Sequence, residues 1–172
     1  MKGLPRSLSR GSATSRQAVS KLKIPLNTTI TITATGAAIG WGTMVIGDFP
    51  EAHLKVLSVA CILDFAGSGA DANLAATWEG DVGIGTTPAS DATISVGDED
   101  LITETAIAAA TAEVAPTVMV ADGVDLVLDN TDGSLEVNLN VLVDAADITD
   151  DESVILTVSG VVEIVYITML DD

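Results

Sequence analysis

The sequence predicts an all-β protein, a jelly-roll-like antiparallel β-sandwich preceded by an extended basic N-terminal arm. Three observations lead to this class. The apolar share of 48% is enough for a core, but only 3% of residues are aromatic, so aliphatic side chains must build it. β-branched residues alternate with polar ones over several stretches, as in half-buried strands. Turn residues separate about eight such stretches, and long connections favour a two-sheet Greek key over an up-and-down barrel.

The strands follow one another along residues 24–172. Thr28–Thr35 alternates with period two, whereas Leu54–Phe65 is long and almost entirely apolar. The break between the second and third strands is Asp48–Glu51, which contains a proline. The predicted strands are Thr28–Thr35, Ile39–Ile46, Leu54–Phe65, Leu74–Ile84, Val124–Leu128, Leu135–Val143 and Val154–Leu170.

Local patterns add detail to the second half of the chain. Asp129–Gly133 contains the residues of a tight turn and predicts a hairpin between the strands on either side. In the final strand one face is apolar. It consists of Val154, Leu156, Val158, Val162, Ile164 and Tyr166. Leu101–Val114 is Ala-rich and fits either a short helix or an irregular strand, and Asp144–Ser153 resembles a loop with at most one helical turn.

Charge divides the chain into two parts. The first 23 residues carry a charge of +6 and contain no acid, and the rest carries −24, for a net charge of −18. Six basic residues make up the positive part: Lys2, Arg6, Arg10, Arg16, Lys21 and Lys23. Such asymmetry predicts a flexible arm at residues 1–23 and an acidic β-sandwich domain at residues 24–172.

The arm has three interpretations. It is a disordered tail without a role, or a segment that orders on an acidic partner surface or on the acidic body of a neighbouring copy, or a nucleic-acid contact. Six bases suit phosphates, but the same polyanion would repel the acidic body, so we expect no nucleic-acid partner. Extended, 23 residues reach about 75 Å.

The sequence offers little for catalysis. The single histidine, His53, lies beside a turn, and the single cysteine, Cys61, lies in an apolar run that favours a buried thiol. One cysteine also excludes an intramolecular disulfide. Among 25 acids, some pair always matches a glycosidase separation, so that pattern carries no weight. The arm lacks the apolar region of a secretory signal, no membrane span is expected, and a mitochondrial presequence is disfavoured.

Metal and phosphate motifs are incomplete as well. Asp129–Gly133 resembles part of a calcium loop, but Leu128 occupies the place of the first ligand. Asp98–Asp100 and Asp150–Glu152 are better read as solvated acidic loops than as cation sites. Gly80–Gly85 lacks the lysine of a phosphate-binding loop. We therefore expect no cofactor and no metal.

Three segments carry a resemblance to a known family. They are Gly47–Glu51 (GDFPE), Trp78–Thr86 (WEGDVGIGT) and Leu128–Leu139 (LDNTDGSLEVNL). Together they resemble the capsid decoration, or cement, proteins of tailed bacteriophages, over roughly residues 40–172. The resemblance implies a β-sandwich, often a trimer, on the outside of an icosahedral shell, without catalytic residues. The basic arm is not part of it.

We therefore expect a non-enzymatic virion structural protein that is made in the host cytoplasm and binds the capsid exterior. The expected partners are the major capsid protein and further copies of the chain, with no membrane. The alternative is a lectin-like jelly-roll module of a phage head or tail fibre, which requires Trp41 or Trp78 to be exposed beside polar residues. An enzyme would require a pocket around His53.

Overall fold

The structure is a computed structural model that describes residues 19–67, 72–111 and 117–169, and within them it contains eight strands and one 3₁₀ turn. The strands are β1 (Val19–Thr33), β2 (Gly40–Asp48), β3 (Ala52–Gly67), β4 (Thr77–Gly85), β5 (Ile102–Thr111), β6 (Thr117–Asn130), β7 (Glu136–Val143) and β8 (Ser153–Met169). The 3₁₀ turn is Val96–Asp98. None of the helical structure in these ranges is long and apolar enough to cross a membrane.

The strands form two groups of four that are joined at one corner. The first sheet has the order β1-β8-β3-β6, and the second has the order β2-β7-β4-β5. Every pairing is antiparallel, and β1 and β2 are paired in register at one position only, Thr33 with Trp41. This order is that of a jelly roll, because most consecutive strands alternate between the two sheets. The predicted fold class is confirmed.

The core lies between the two sheets and is almost wholly aliphatic. The predicted apolar face of β8 is buried from Val154 to Ile164, and Tyr166 packs at its margin. Trp78 and Phe65 are the largest fully buried side chains, one from each sheet. All seven predicted strands appear, although β1 and β6 begin earlier than predicted and β4 begins three residues later, at Thr77. Leu170 of the predicted final strand lies outside the described residues.

The hairpin predicted at Asp129–Gly133 is wrong. The turn itself forms, with the Gly133 N–H donating to the Asn130 carbonyl at 3.1 Å. However, β6 pairs with β3, while β7 pairs with β2 and β4. The turn therefore carries the chain from the edge of the first sheet into the second sheet.

Asn130 gives the physical reason for this crossing. Its side chain is fully buried, and its Oδ1 accepts a hydrogen bond from the Leu135 N–H at 2.8 Å. Its Nδ2 donates to the carbonyls of Phe49 and Pro50 at 3.0 and 3.1 Å. These bonds fasten the β6–β7 corner to the β2–β3 corner, where the chain also changes sheets. Such partners offset the cost of removing the amide from water.

The two segments that the sequence left open have a clear structure. Residues 102–111 of the Ala-rich stretch form strand β5, which pairs with β4, and residues 112–114 lie outside the described residues. Residues 144–152 form turns, with one isolated bridge between Ile148 and Leu74, and Ser153 already begins β8. Pairing with β4 thus decides the conformation of a stretch whose own propensity was ambiguous.

Residues 86–101 connect β4 to β5 and lie across the outer face of the second sheet. Gly85 permits this approach, because a Cβ there would stand 2.0 Å from the Gly97 carbonyl oxygen. Asn140 of β7 is fully buried beneath the segment, and so is its neighbour Asn138. As a result β7 is buried on both faces, although its sequence alternates between apolar and polar residues.

Candidate partner-binding surface

The predicted partner-binding residues fall into two groups. Lys2, Arg6, Arg10 and Arg16 lie outside the described residues. Lys21 and Lys23 lie in β1, which pairs with β8 from Val19 onward. The expected boundary between residues 23 and 24 therefore falls inside a strand, and residues 19–23 belong to the first sheet.

The two described lysines of this set meet one carboxylate. Lys21 Nζ is 2.8 Å from Glu163 Oε2 of β8, and Lys23 Nζ is 3.9 Å from Glu163 Oε1. The hydrogen bond from Lys21 lowers the pKa of Glu163 below its usual value, and the charges of both lysines add to this effect. All three side chains are at least partly exposed, so each pair contributes little to stability.

The remaining described lysine and the histidine lie on the same side of the molecule. Lys55 of β3 is 2.6 Å from Asp125, and His53 Nδ1 is 3.4 Å from Asp129 Oδ1. His53 and Lys55 flank the buried Leu54, so they point away from the core. The outer face of the first sheet thus carries every described lysine and the histidine.

The structure separates the groups that a nucleophilic mechanism would need. Cys61 is buried on the core side of β3, whereas His53 faces outward eight residues earlier, about 26 Å away along the strand. Trp78 is fully buried in the core, and Trp41 is half-buried on the outer face of β2. Of the two tryptophans, therefore, only Trp41 is accessible as the aromatic side chain that a glycan site needs.

Acidic loops hold the backbone of the connections in place. Asp100 accepts hydrogen bonds from the Thr86 N–H at 2.8 Å and from the Thr86 hydroxyl at 2.6 Å, and burial nevertheless raises its pKa. Asp151 accepts a hydrogen bond from the Gly36 N–H at 2.7 Å. These carboxylates act as acceptors for loop amides and hydroxyls. Within the described ranges, no group of three or more histidine, cysteine or acidic side chains is arranged to hold a metal ion.

The turn that resembles a calcium loop is stabilised internally. Asp129 accepts from the backbone and hydroxyl of Thr131, and Asp132 accepts from the backbone and hydroxyl of Ser134. The hydroxyl hydrogen bonds are the main reason that the pKa values of both aspartates lie below their usual range. These are the hydrogen bonds that Asp side chains typically accept within turns, and they differ from a set of metal ligands that converge on one point.

Sequence reasoning missed the exposed aliphatic side chains on the outer face of the first sheet. Ile62 of β3 is 45% exposed, and Val161 of β8 lies beside it in the register. A signal was present in the sequence, because apolar residues of Leu54–Phe65 occur at both odd and even positions and therefore on both faces of a strand. Only one face of the strand contacts the core, so the apolar residues of the other face must lie on the outside of the sheet.

The fold is thus a jelly-roll β-sandwich whose outer faces differ in charge and polarity. No protein-family model matches the sequence, and no curated protein matches it either. Among solved structures, the chain is similar to a chain of the cyanophage Pam1 capsid asymmetric unit. The two share 15% identity at a TM-score of 0.41, over 98% of this chain and 100% of that chain.

Chains of infectious bursal disease virus are also similar. The VP2 subviral particle matches with 12% identity and a TM-score of 0.38, over 88% of this chain and 33% of that chain. The Gx strain matches with 12% identity and a TM-score of 0.36, over 88% and 32% of the respective chains. This chain spans about a third of the length of those viral chains. The matched structures are of viral capsids and particles, but likeness at this level establishes neither a family nor a function.

Proposed function

We propose that this protein is a non-enzymatic virion structural protein that binds the outside of a bacteriophage capsid and stabilises it. The separation of charge carries the proposal: residues 1–18 carry a charge of +4, and the body that follows from β1 onward carries −22. The basic residues contact acidic patches of neighbouring major capsid protein subunits. The jelly-roll body supplies a stable block whose acidic surface keeps particles apart through like-charge repulsion.

The resemblance to decoration proteins supports the same proposal. It rests on turn and strand segments, and the fold agrees with what it implies. A trimer on the capsid exterior would combine three weak attachments into one strong attachment through effective concentration. Synthesis takes place in the host cytoplasm, and neither a cofactor, a nucleic acid nor a membrane is needed.

The test is cosedimentation of the purified protein with empty capsids of the phage that encodes it. Because β1 begins at Val19, the truncation removes residues 1–18 only and leaves the first sheet intact. We expect the full chain to pellet with capsids and the truncated chain to lose at least tenfold in affinity. Raising the salt concentration from 0.05 to 0.5 M should release the full chain, because the attraction between exposed charges is screened.

A matched pair of variants separates charge from chain length. One variant replaces the four bases outside β1 with glutamine, namely Lys2, Arg6, Arg10 and Arg16. The control replaces four serines of the same segment with glutamine, namely Ser7, Ser9, Ser12 and Ser15. Loss of binding in the first variant alone supports the proposal. Equal binding of both variants would remove the role of the basic residues, and absence of binding by the full chain would remove the capsid role.

A further inference from the structure

The outer face of the first sheet combines exposed aliphatic side chains from all four of its strands. Val19 of β1, Ile155 of β8, Ile62 of β3 and Val127 of β6 are all exposed there. They account for four of the seven exposed large hydrophobic residues among the described residues. The register places Val19 and Val127 in one row at opposite edges and Ile62 and Ile155 in two other rows, so these four side chains lie apart from one another on the face.

Register places a continuous apolar row across the middle of this face. Pro25 of β1 pairs with Val161 of β8, which in turn pairs with Ile62 of β3. A hollow of about 200 Å³ lies beside this row and is lined by Ala60, Cys61, Ile62, Val161 and Glu163. The centre of the face is therefore apolar and slightly concave.

The two outer strands of this face carry opposite charges. Lys21 and Lys23 lie along β1, with side chains 54% and 63% exposed. Asp125 and Asp129 lie along β6, the opposite edge, with side chains 81% and 67% exposed. Between these edges lie Lys55 and Asp64 of β3 and Glu163 of β8, so among the described side chains three lysines stand against four carboxylates and the net charge of the face is small.

The outer face of the second sheet differs strongly. Asp81 lies close enough to Asp144 and Glu104 for their charges to interact unfavourably, and burial and this repulsion raise the pKa values of Asp81 and Glu104. Two copies of a chain with net charge −18 repel each other through such surfaces. The outer face of the first sheet allows close approach, since it carries the described cations together with apolar area.

We propose that the outer face of the β1-β8-β3-β6 sheet is the surface through which copies of this chain associate. This inference rests on the homo-oligomer of the proposed function and names its contact surface. The basic β1 edge of one copy lies against the acidic β6 edge of another, and the apolar row is covered in between. Four strands over about ten residues give roughly 600 Å² of projected area per copy. This approaches the ~800 Å² per partner of a stable interface.

The test is the molar mass of the full chain in solution, measured by sedimentation equilibrium from 1 to 200 µM. Ile62→Asp places a charge in the apolar row, and Val45→Asp is its control on the outer face of β2. The two positions are matched, with exposed fractions of 45% and 47%. We expect the wild type and Val45→Asp to form oligomers of the 17.5 kDa chain and Ile62→Asp to dissociate at least 30-fold more readily.

Ile62→Thr guards against misfolding, because it keeps a β-branched side chain that suits a strand. Weaker association of Ile62→Thr with an unchanged circular dichroism spectrum supports the inference. A wild type that is monomeric at 200 µM overturns it, as does an oligomer that Ile62→Asp leaves intact. A monomer that binds capsids, and loses that binding with Ile62→Asp, assigns the face to the shell and also overturns the inference, while the capsid role stands.

Discussion

Replacing Asn140 should destabilise the protein far more than replacing its equally buried neighbour. The Asn140 Oδ1 accepts hydrogen bonds from the Thr43 hydroxyl at 2.7 Å and from the Ala89 N–H at 2.9 Å. Its Nδ2 donates to the carbonyls of Thr87 at 3.2 Å and Asp98 at 2.8 Å. At about 1 kcal/mol net for each bond, Asn140→Ala should lower the free energy of unfolding by about 3–4 kcal/mol. For a chain of this size that is roughly 6–16 °C in melting temperature.

Asn138 supplies the matched control. It lies two residues away on the same face of β7 and is 1% exposed. Its amide atoms have no hydrogen-bond partner among the described residues. Asn138→Ala removes the same atoms, but it also removes an unsatisfied polar group, so its cost should stay within about 1 kcal/mol. Urea unfolding followed by circular dichroism measures both variants, at one protein concentration because association shifts apparent stability.

The reasoning depends on the difference between the two variants rather than on either value alone. If Asn140 holds residues 86–101 on the sheet, its loss should also speed amide hydrogen exchange in that segment. Exchange elsewhere in the second sheet should change less, because local opening is confined to the connection. Free energies of unfolding that agree within 1 kcal/mol for the two variants would refute the assignment of these hydrogen bonds.

Two further predictions concern the same connection. Gly85→Ala should lower the melting temperature by about 2–10 °C, because the added Cβ would collide with the Gly97 carbonyl oxygen. Gly123→Ala is the control: a Cβ added there meets nothing within 4 Å, so the melting temperature should change by less than about 2 °C. Equal effects by differential scanning calorimetry would contradict this. Asp100→Asn should raise the melting temperature at pH 7, because burial raises the folded-state pKa of Asp100 and its ionised form therefore costs stability above about pH 4. The gain should vanish as the pH falls below that value, and a gain independent of pH would point to another cause.

Strand identity could be predicted because it depends on local periodicity. The final strand alternates between exposed and buried residues from Ser153 to Val158, and its buried face matches the prediction up to Ile164. The same rule would have placed the start of β1 correctly. Leu22 and Ile24 point inward, while Lys21 and Lys23 point outward. The basic composition of this segment predicts a flexible arm, whereas the alternation of its bases with apolar residues indicates a strand.

Strand pairing could not be predicted in the same way, because it depends on distant partners. Asp129–Gly133 has the local chemistry of a hairpin turn, but turn residues do not specify which strands pair. The buried amide of Asn130 makes its decisive contacts with Phe49 and Pro50, about 80 positions earlier in the chain. A polar residue at the end of a strand gives no sign in sequence of whether it lies in water or in such a corner.

The candidate surface was predictable only in its charged part. The cluster of basic residues at the N-terminus can be identified from the sequence, whereas the apolar row can be identified only once the register of three strands is known. Ile62 lies on the outer face of β3, which also carries His53 and Lys55, so burial within a single chain does not explain this exposed aliphatic side chain. Leaving such a row in water costs about 25 cal/mol for each Å². Contact with another protein surface recovers that free energy, and the near-neutral charge of the face is what permits the contact in a chain of net charge −18.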